Sequence, residues 1–484
     1  MNKIAYVSVC LLALAGIAAA GNGPKIKQTR TLDANAWKIY TTNYGPFVYP
    51  YNNAPGGYWR GPGYNYIFGA GLWIGGLDTL DSARVAIGYY PASGGSELCP
   101  VNPITYNWTN WATDTASRVY LSTDPNDLAN WPVKDSLGNN IVKSQQDGYA
   151  VYSDENPAFG FTGEKPLGVR VKQHSYTWNY AFYNDILFFT FELFNVTADS
   201  LRGVYVGPCF DADIGDESGT LANDRTDFDY TRNLGIQYQT DPEPGWPRVG
   251  QLGCRMLATP LNNTGATVHV VDNQYPHDIA PGQQLGMTAF KIFTIDIDPA
   301  SDPDRYLTME GISYKTHVQD AYDELGSVTP GDKRFIMTSG PFNMAAGDSV
   351  TFSIAVMAAY GRDTLLALAD SAAAIYQREL GVAQGPARHT SIPAALQMRN
   401  TPNPVAHSTV IAYQLPATAD VSLKIYNIAG QLVRTMVSAR QAAGAHSVRW
   451  NGDDDQGRRA AEGVYLYQLQ AGGRSIARRM VLVK

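Results

Sequence analysis

Between Ile186 and Phe194 the chain places Leu187, Phe189, Phe191 and Leu193 on every second position. Side chains of a strand point alternately to its two faces, so this spacing fits a β-strand and no helix. The opposite face carries Thr190 and Glu192, which predicts only partial cover there. Val350, Phe352, Ile354 and Val356 repeat the pattern after the turn residues Ala346-Gly347-Asp348-Ser349. Asn195 to Ser200 reads as a turn and Gly203-Val204-Tyr205-Val206-Gly207 as a return strand. With 46 glycines and 28 prolines punctuating the chain and 30 tyrosines to fill strands, the expectation is a mainly β protein. Its body is a β-sandwich of one or two domains, 21–170 rich in aromatics and glycine and 171–380 carrying an acidic loop. One helix stands out near 364–380: Leu365, Leu368, Ala372, Ile375 and Tyr376 recur at helical spacing, Asp363 or Thr364 can cap its start, and Gly381 stops it. A small-residue linker with Pro386 and Pro393 then covers 381–400.

The first twenty residues hold one charge, Lys3, then an apolar run from Ile4 to Ile17 and Ala18-Ala19-Ala20. A basic start, an apolar middle and a small-residue end describe a cleavable signal peptide over 1–20. The run falls short of the ~20 apolar residues that span a bilayer, and no later segment is apolar enough to cross one. The formal charge of the whole chain is −7. Eleven Lys or Arg against five Asp or Glu from Gln397 onward leave that end at +6, and the body from Gly21 to Leu396 at −14. An acidic body repels nucleic acid, whose binding depends on neutralising phosphates. Cys99, Cys209 and Cys254 remain after leader removal; an odd number allows one bridge at most, or three buried thiols.

From about Pro402 the strands shorten and become regular. Ile411, Tyr413 and Leu415 alternate, as do Val421, Leu423 and Ile425, while Val448 and Trp450 share a face. Turn residues at Asn427–Gly430 and Ala443–Gly444, and a polar loop from Asn451 to Gly457, separate them. This predicts a seven-strand Ig-like sandwich over 401–484. The segment resembles the C-terminal sorting domain of type IX secretion cargo and the related Ig-like domain of the flagellar hook-capping protein. The resemblance rests on Pro402-Asn403-Pro404, Ile425-Tyr426-Asn427 with Gly430, Trp450-Asn451-Gly452, Gly463-Val464-Tyr465 and the closing Arg479–Lys484. Val405-Ala406-His407 departs from the Phe-Asn-Pro continuation common in such tails. The resemblance implies a secretion machinery as partner and a workplace outside the cell, in the medium or on the cell surface, with Asn403, Trp450, Gly452, Gly463 and Tyr465 as motif residues. Body segments Gly71–Gly76 and Val204–Gly207, followed by Asp211–Asp216, resemble those of secreted proteins bearing the same tail, and bring no activity with them.

Two features of the body carry chemistry. Asp211, Asp213, Asp216, Glu217, Asp224, Asp227 and Asp229 fall within twenty residues, with Arg225 the one cation among them. Carboxylates two residues apart on a glycine-containing loop can converge on Ca2+, which takes six to eight oxygens. The predicted ligands are Asp211, Asp213, Asp216, Asp224 and Asp227; the other reading is a solvated acidic loop. It is not an EF-hand, because Asp216 stands where that loop needs glycine and no Glu closes it. The second feature is the aromatic run from Trp37 to Trp73, where Trp59 and Trp73 could stack on a cell-surface polysaccharide or anchor a protein, or else fill a core. The seven histidines form no His-Glu-x-x-His helix, and no nucleophile elbow or phosphate loop occurs. A non-catalytic surface-layer component, adhesin or binding scaffold is therefore the first expectation. An extracellular hydrolase of polysaccharide or peptide, using paired body carboxylates, is the alternative.

Overall fold

The computed structural model describes residues 27–484 except 53, 62, 160–164, 181–182, 216–222, 240–244, 295–297, 324–329, 382–396, 402–404, 406–407, 416–418, 429, 442–443, 473 and 484. The expected leader, most of the expected linker, Asp216, Glu217 and Asn403 thus lie outside the described residues. Among the described residues strand makes up 48% and helix 9%, the mainly β outcome that the alternation demands. The chain divides into two compact units, 1–382 and 383–484.

Two large antiparallel sheets build the first unit. The nine-stranded sheet runs in the order Arg225–Asp229, Leu234–Tyr238, Gln251–Ala258, Ser349–Ala359, Ile186–Asn195, Val169–Thr177, Gln146–Ser153 and Cys99–Pro100, with Tyr120–Leu121 also on Gln146–Ser153. The six-stranded sheet runs Ala289–Phe293, Arg334–Met344, Leu201–Asp211, Gly69–Leu77 and Pro46–Val48, with Ala83–Ile87 also on Gly69–Leu77. The two strongest alternating segments of the sequence are neighbours, Phe189 opposite Ile354 and Phe191 opposite Phe352. On the inner face, Leu187, Phe189, Phe191 and Leu193 are at most 1% exposed. Each such side chain contributes roughly 1.5–3 kcal/mol on burial. They meet the other sheet at Phe47, whose ring lies 5.0 Å from Phe189 and 5.8 Å from Phe191.

The outer face of Ile186–Asn195 is half covered. Ile186 and Phe188 pack with Leu365, Ala369 and Ala372 of the helix Arg362–Ile375. Glu192, further along, stays 40% exposed on its side chain, facing Lys172. The helix continues as a π turn over Tyr376–Leu380. Its cap differs from expectation: Gly361 takes the N-cap position without a side-chain bond, and Asp363 lies inside the first turn, where its charge still favours the helix dipole.

Asn195–Ser200 does turn the chain, with the Asn195 amide donating to the Asp199 carbonyl at 2.7 Å. The next strand does not return alongside its predecessor. Leu201–Asp211 enters the six-stranded sheet, between Gly69–Leu77 and Arg334–Met344, with register shifts between Leu201 and Val206. Residues on both sides of position 170 pair within each sheet, and one core cluster draws on both stretches. Cys99, Cys209 and Cys254 are buried free thiols.

A polar group is enclosed among rings on the outer side of the nine-stranded sheet. His174 lies 4.7 Å from the Tyr149 ring and 6.2 Å from that of Tyr176. Burial, helped by the Lys143 and Lys172 charges, holds its pKa down to about 3. Its Nε2 is 3.7 Å from Glu192, whose charge acts in the opposite direction. An unfolded histidine titrates near 6.5, so the neutral ring stabilises the fold fully above that pH and progressively less as pH falls toward 3. From pH 7 to pH 5 this one group is expected to remove about 2 kcal/mol of stability. Urea unfolding of the wild type and of His174→Gln at the two pH values checks it; an equal loss in both proteins would assign the slope elsewhere.

Among its described residues the second unit holds seven strands in two sheets. Gln397–Thr401, Thr409–Leu415 and Gly444–Trp450 form one; Leu432–Gln441, Ala419–Asn427, Gly463–Ala471 and Arg474–Leu482 form the other. The alternating residues Ile411, Tyr413, Leu415, Val421, Leu423 and Ile425 are all buried, with Trp450, Tyr465 and Tyr467 at their centre. This is the Ig-like sandwich that the spacing predicts.

Candidate metal centre

Asp211 ends the strand Leu201–Asp211 of the six-stranded sheet, and its register partners fix its surroundings. It stands opposite Gly69 on one side and Arg334 on the other. Tyr89 donates its hydroxyl to Asp211 Oδ2 at 3.1 Å. That ring can lie there because residue 69 is glycine: a Cβ would fall 2.3 Å from the Tyr89 ring. Tyr89 is held in turn by Trp73, whose indole N–H donates to the Tyr89 carbonyl at 2.8 Å. Arg334 Nε sits 3.1 Å from Asp211 Oδ1, and its Nη1 sits 3.3 Å from Asp332 Oδ1.

The chain past Asp211 stays close. Asp211, Asp213 and Asp332 each offer an oxygen, and the three atoms lie within 4.8 Å of one another. Asp224, beyond 216–222, lies near enough for the Asp213 and Asp332 charges to act on it. It is 0% exposed, and among the described residues neither of its carboxylate oxygens closes a hydrogen bond of good geometry; the Ile214 N–H and the Gln237 amide are its nearest donors. Asp298 contributes two more buried oxygens without a bond among the described residues, facing Arg334 and Asp332. Backbone contacts tie these pieces together. The Gln237 amide donates to the Ala212 and Lys333 carbonyls, and the Gly331 N–H donates to the Asp224 carbonyl at 3.1 Å.

The carboxylates of Asp211, Asp213, Asp298 and Asp332 thus act on one guanidinium, and Asp224 lies within reach of the Asp213 and Asp332 charges. Burial drives the Asp211 carboxyl well above its ordinary range; Arg334 opposes this, while Asp213 and Asp332 add to it. Burial, and next the Asp213 charge, do the same to Asp224. Asp298 is raised to about 6 by burial, against the pull of Arg334. Burial works against the Arg334 charge, but the Asp211, Asp332, Asp298 and Asp213 carboxylates outweigh it and raise its pKa. Like charges crowded in low dielectric either take up protons or take in a cation. An all-oxygen donor set of this kind could hold a metal ion of the hard type.

The remaining predicted ligands part company with this group. Asp227 is committed to an ion pair with Arg362 on the helix start. Asp216 lies outside the described residues. Asp298, Asp332 and Arg334 went unread because they sit about seventy to one hundred positions downstream of the acidic run, with no local pattern to mark them.

The rings fare differently from the carboxylates. Trp59 is 1% exposed and Trp73 0%, so neither offers a face to a sugar or a partner. Trp59 donates its indole N–H to Asp185 at 2.8 Å and Trp73 supports Tyr89 as above, so both are core residues with satisfied polar edges. Among the tail motif residues, Trp450 is fully buried and donates to the Asp453 carbonyl at 2.8 Å. It packs edge-on to Tyr465 at 5.4 Å. Gly452 takes φ 74° and Gly463 φ 147°, backbone that a side chain would strain.

Comparison with known proteins bears on the second unit. The family model of the FlgD Ig-like domain matches residues 404–475, so this module is an Ig-like domain of the FlgD type. No curated protein matches the chain. Among solved structures the chain is similar to FLGD from P. aeruginosa, at 26% identity over 16% of this chain and 59% of that one, with a TM-score of 0.14. It is similar to a polysaccharide lyase at 8% identity over 96% of this chain and 47% of that one, TM-score 0.27. Dimeric latent PorU from Porphyromonas gingivalis is similar at 10% identity over 66% of this chain and 32% of that one, TM-score 0.17. The chain therefore spans less than two thirds of the length of each.

Proposed function

We propose that this chain is a non-catalytic secreted or cell-surface protein, a surface-layer component, adhesin or binding scaffold, delivered by its C-terminal module through a type IX secretion machinery. The observation that carries the reading is the FlgD Ig-like domain at 404–475, set in a compact unit of its own at the end of a β-sandwich body. The seven-strand sandwich has its own core around Trp450, so the module can be presented as a folded unit. Among the described residues no helix is long and apolar enough to cross a membrane. The body holds one Ca2+ in the acidic centre, with Asp211, Asp213 and Asp224 supplying ligands from the acidic run and the ion bracing the sandwich rather than performing chemistry.

Expression of the chain with and without 383–484 in a host that has the secretion system tests the delivery role. The full chain is expected in the medium or on the cell surface, and the truncated one in the periplasm. Equal appearance of both outside the cell would end the sorting reading.

A further inference from the structure

We propose that the acidic centre is a divalent-cation clasp that locks the Asp332–Arg334 segment onto the Asp211–Asp213 strand end and onto Asp224, with Asp332 a ligand of equal standing to the carboxylates of the acidic run. The inference rests on the calcium reading above and adds to it the ligand and the connection that no local pattern signals. Asp211, Asp213 and Asp332 already bring three oxygens within 4.8 Å of one another. The independent pointer to a ligand is Asp224, fully buried, close enough to feel the Asp213 and Asp332 charges, and with both its oxygens left without a hydrogen bond of good geometry. A buried carboxyl left so either takes up a proton or is completed by a cation, and the three oxygens already gathered beside it favour the cation.

Arg334 alone does not complete it. The guanidinium lies against Asp211 Oδ1 and Asp332 Oδ1 and not against Asp224, whose charge the Asp213 and Asp332 carboxylates oppose. Arg334 acts as a positioning residue: by bridging Asp211 and Asp332 it sets the distance between two strand ends of the sheet. The amide of Gln237, bonded to both Ala212 and Lys333, holds the two backbones at that spacing from behind. The candidate ligands offer carboxylate oxygen alone, which selects a hard cation. Calcium, which tolerates irregular shells of six to eight oxygens, suits a site drawn from three separate segments better than magnesium, which demands a strict octahedron.

Terbium reads the site directly, because it takes calcium positions and emits when a nearby phenol ring is excited; Tyr89, bonded to Asp211, is the built-in donor. Titration of the mature chain with terbium is expected to show saturable emission, removed by calcium. Asp332→Asn and Asp224→Asn should each weaken binding of both ions by about tenfold or more. Asp227→Asn, which touches the Arg362 pair, should leave it unchanged. Calcium should also slow hydrogen exchange across Gly331–Arg334 in the unaltered protein, a measurement independent of whether any variant folds. Binding that survives Asp332→Asn, with no protection of Gly331–Arg334, would overturn the clasp while leaving a calcium site within the acidic run. No terbium or calcium binding at millimolar concentration by the unaltered chain would remove the calcium reading and the clasp together.

Discussion

Arg334→Met is expected to cost the calcium-free protein about 3–5 kcal/mol of unfolding free energy, the usual result of stripping one partner from a buried ion pair. The guanidinium is 5% exposed and lies against Asp211 and Asp332, with the charges of Asp213 and Asp298 nearby. Methionine fills much of the same volume, so packing changes little and the loss reports the charge. Without Arg334 the carboxyls must take up protons or repel one another. Urea unfolding in chelator, followed by the same measurement with calcium, separates the two cations. Calcium should restore part of the loss, because an ion that binds only the folded state stabilises it by mass action. A loss below about 1 kcal/mol in chelator would mean that the cluster is already neutral by protonation and that Arg334 does not hold it together.

Trp450→Ala is the second large expectation. The indole is fully buried, packs edge-on to Tyr465 and donates to the Asp453 carbonyl. Truncating a tryptophan in a core costs about 3–5 kcal/mol through lost contacts and the cavity left behind. Small domains are stable by about 5–15 kcal/mol in total, and one of this size stands near the lower end. The variant module is therefore expected to unfold a substantial fraction of the time, and delivery outside the cell to fall with it. Limited proteolysis of the full chain gives the direct readout, with new cleavage inside 397–484 and the body resistant, as expected for two compact units. Unchanged resistance of that stretch would show that Trp450 is not the keystone of its core.

Much of the candidate site was readable as residue type and little of it as assembly. Asp211, Asp213 and Asp224 announce themselves by crowding, since a dense acidic run costs electrostatic energy wherever it lies. Asp227 belongs to the same run and goes elsewhere, because an even offset from Asp229 on a paired strand turns it toward Arg362 rather than toward Asp211. Asp332 and Arg334 carry no such mark; they reach the site because Arg334 pairs with Asp211 in the ladder between two strands more than a hundred residues apart. Trp59 and Trp73 illustrate the converse. Their density near the N-terminus is visible, but whether a ring faces solvent or core depends on which sheet face is covered.

By itself the sequence determined what is local: strands where apolar residues recur every second position, a helix where they recur at helical spacing, and a regular seven-strand module at the C-terminal end. Those outcomes follow from backbone geometry, which each short segment carries on its own. The tertiary structure alone decided which strands became neighbours: that Leu201–Asp211 crosses to the second sheet, that its last carboxylate meets Arg334 and Tyr89, and that the indoles of Trp59 and Trp73 end inside. Strand pairing at long range is set by the collective burial of whole sheet faces, and no single segment holds that information.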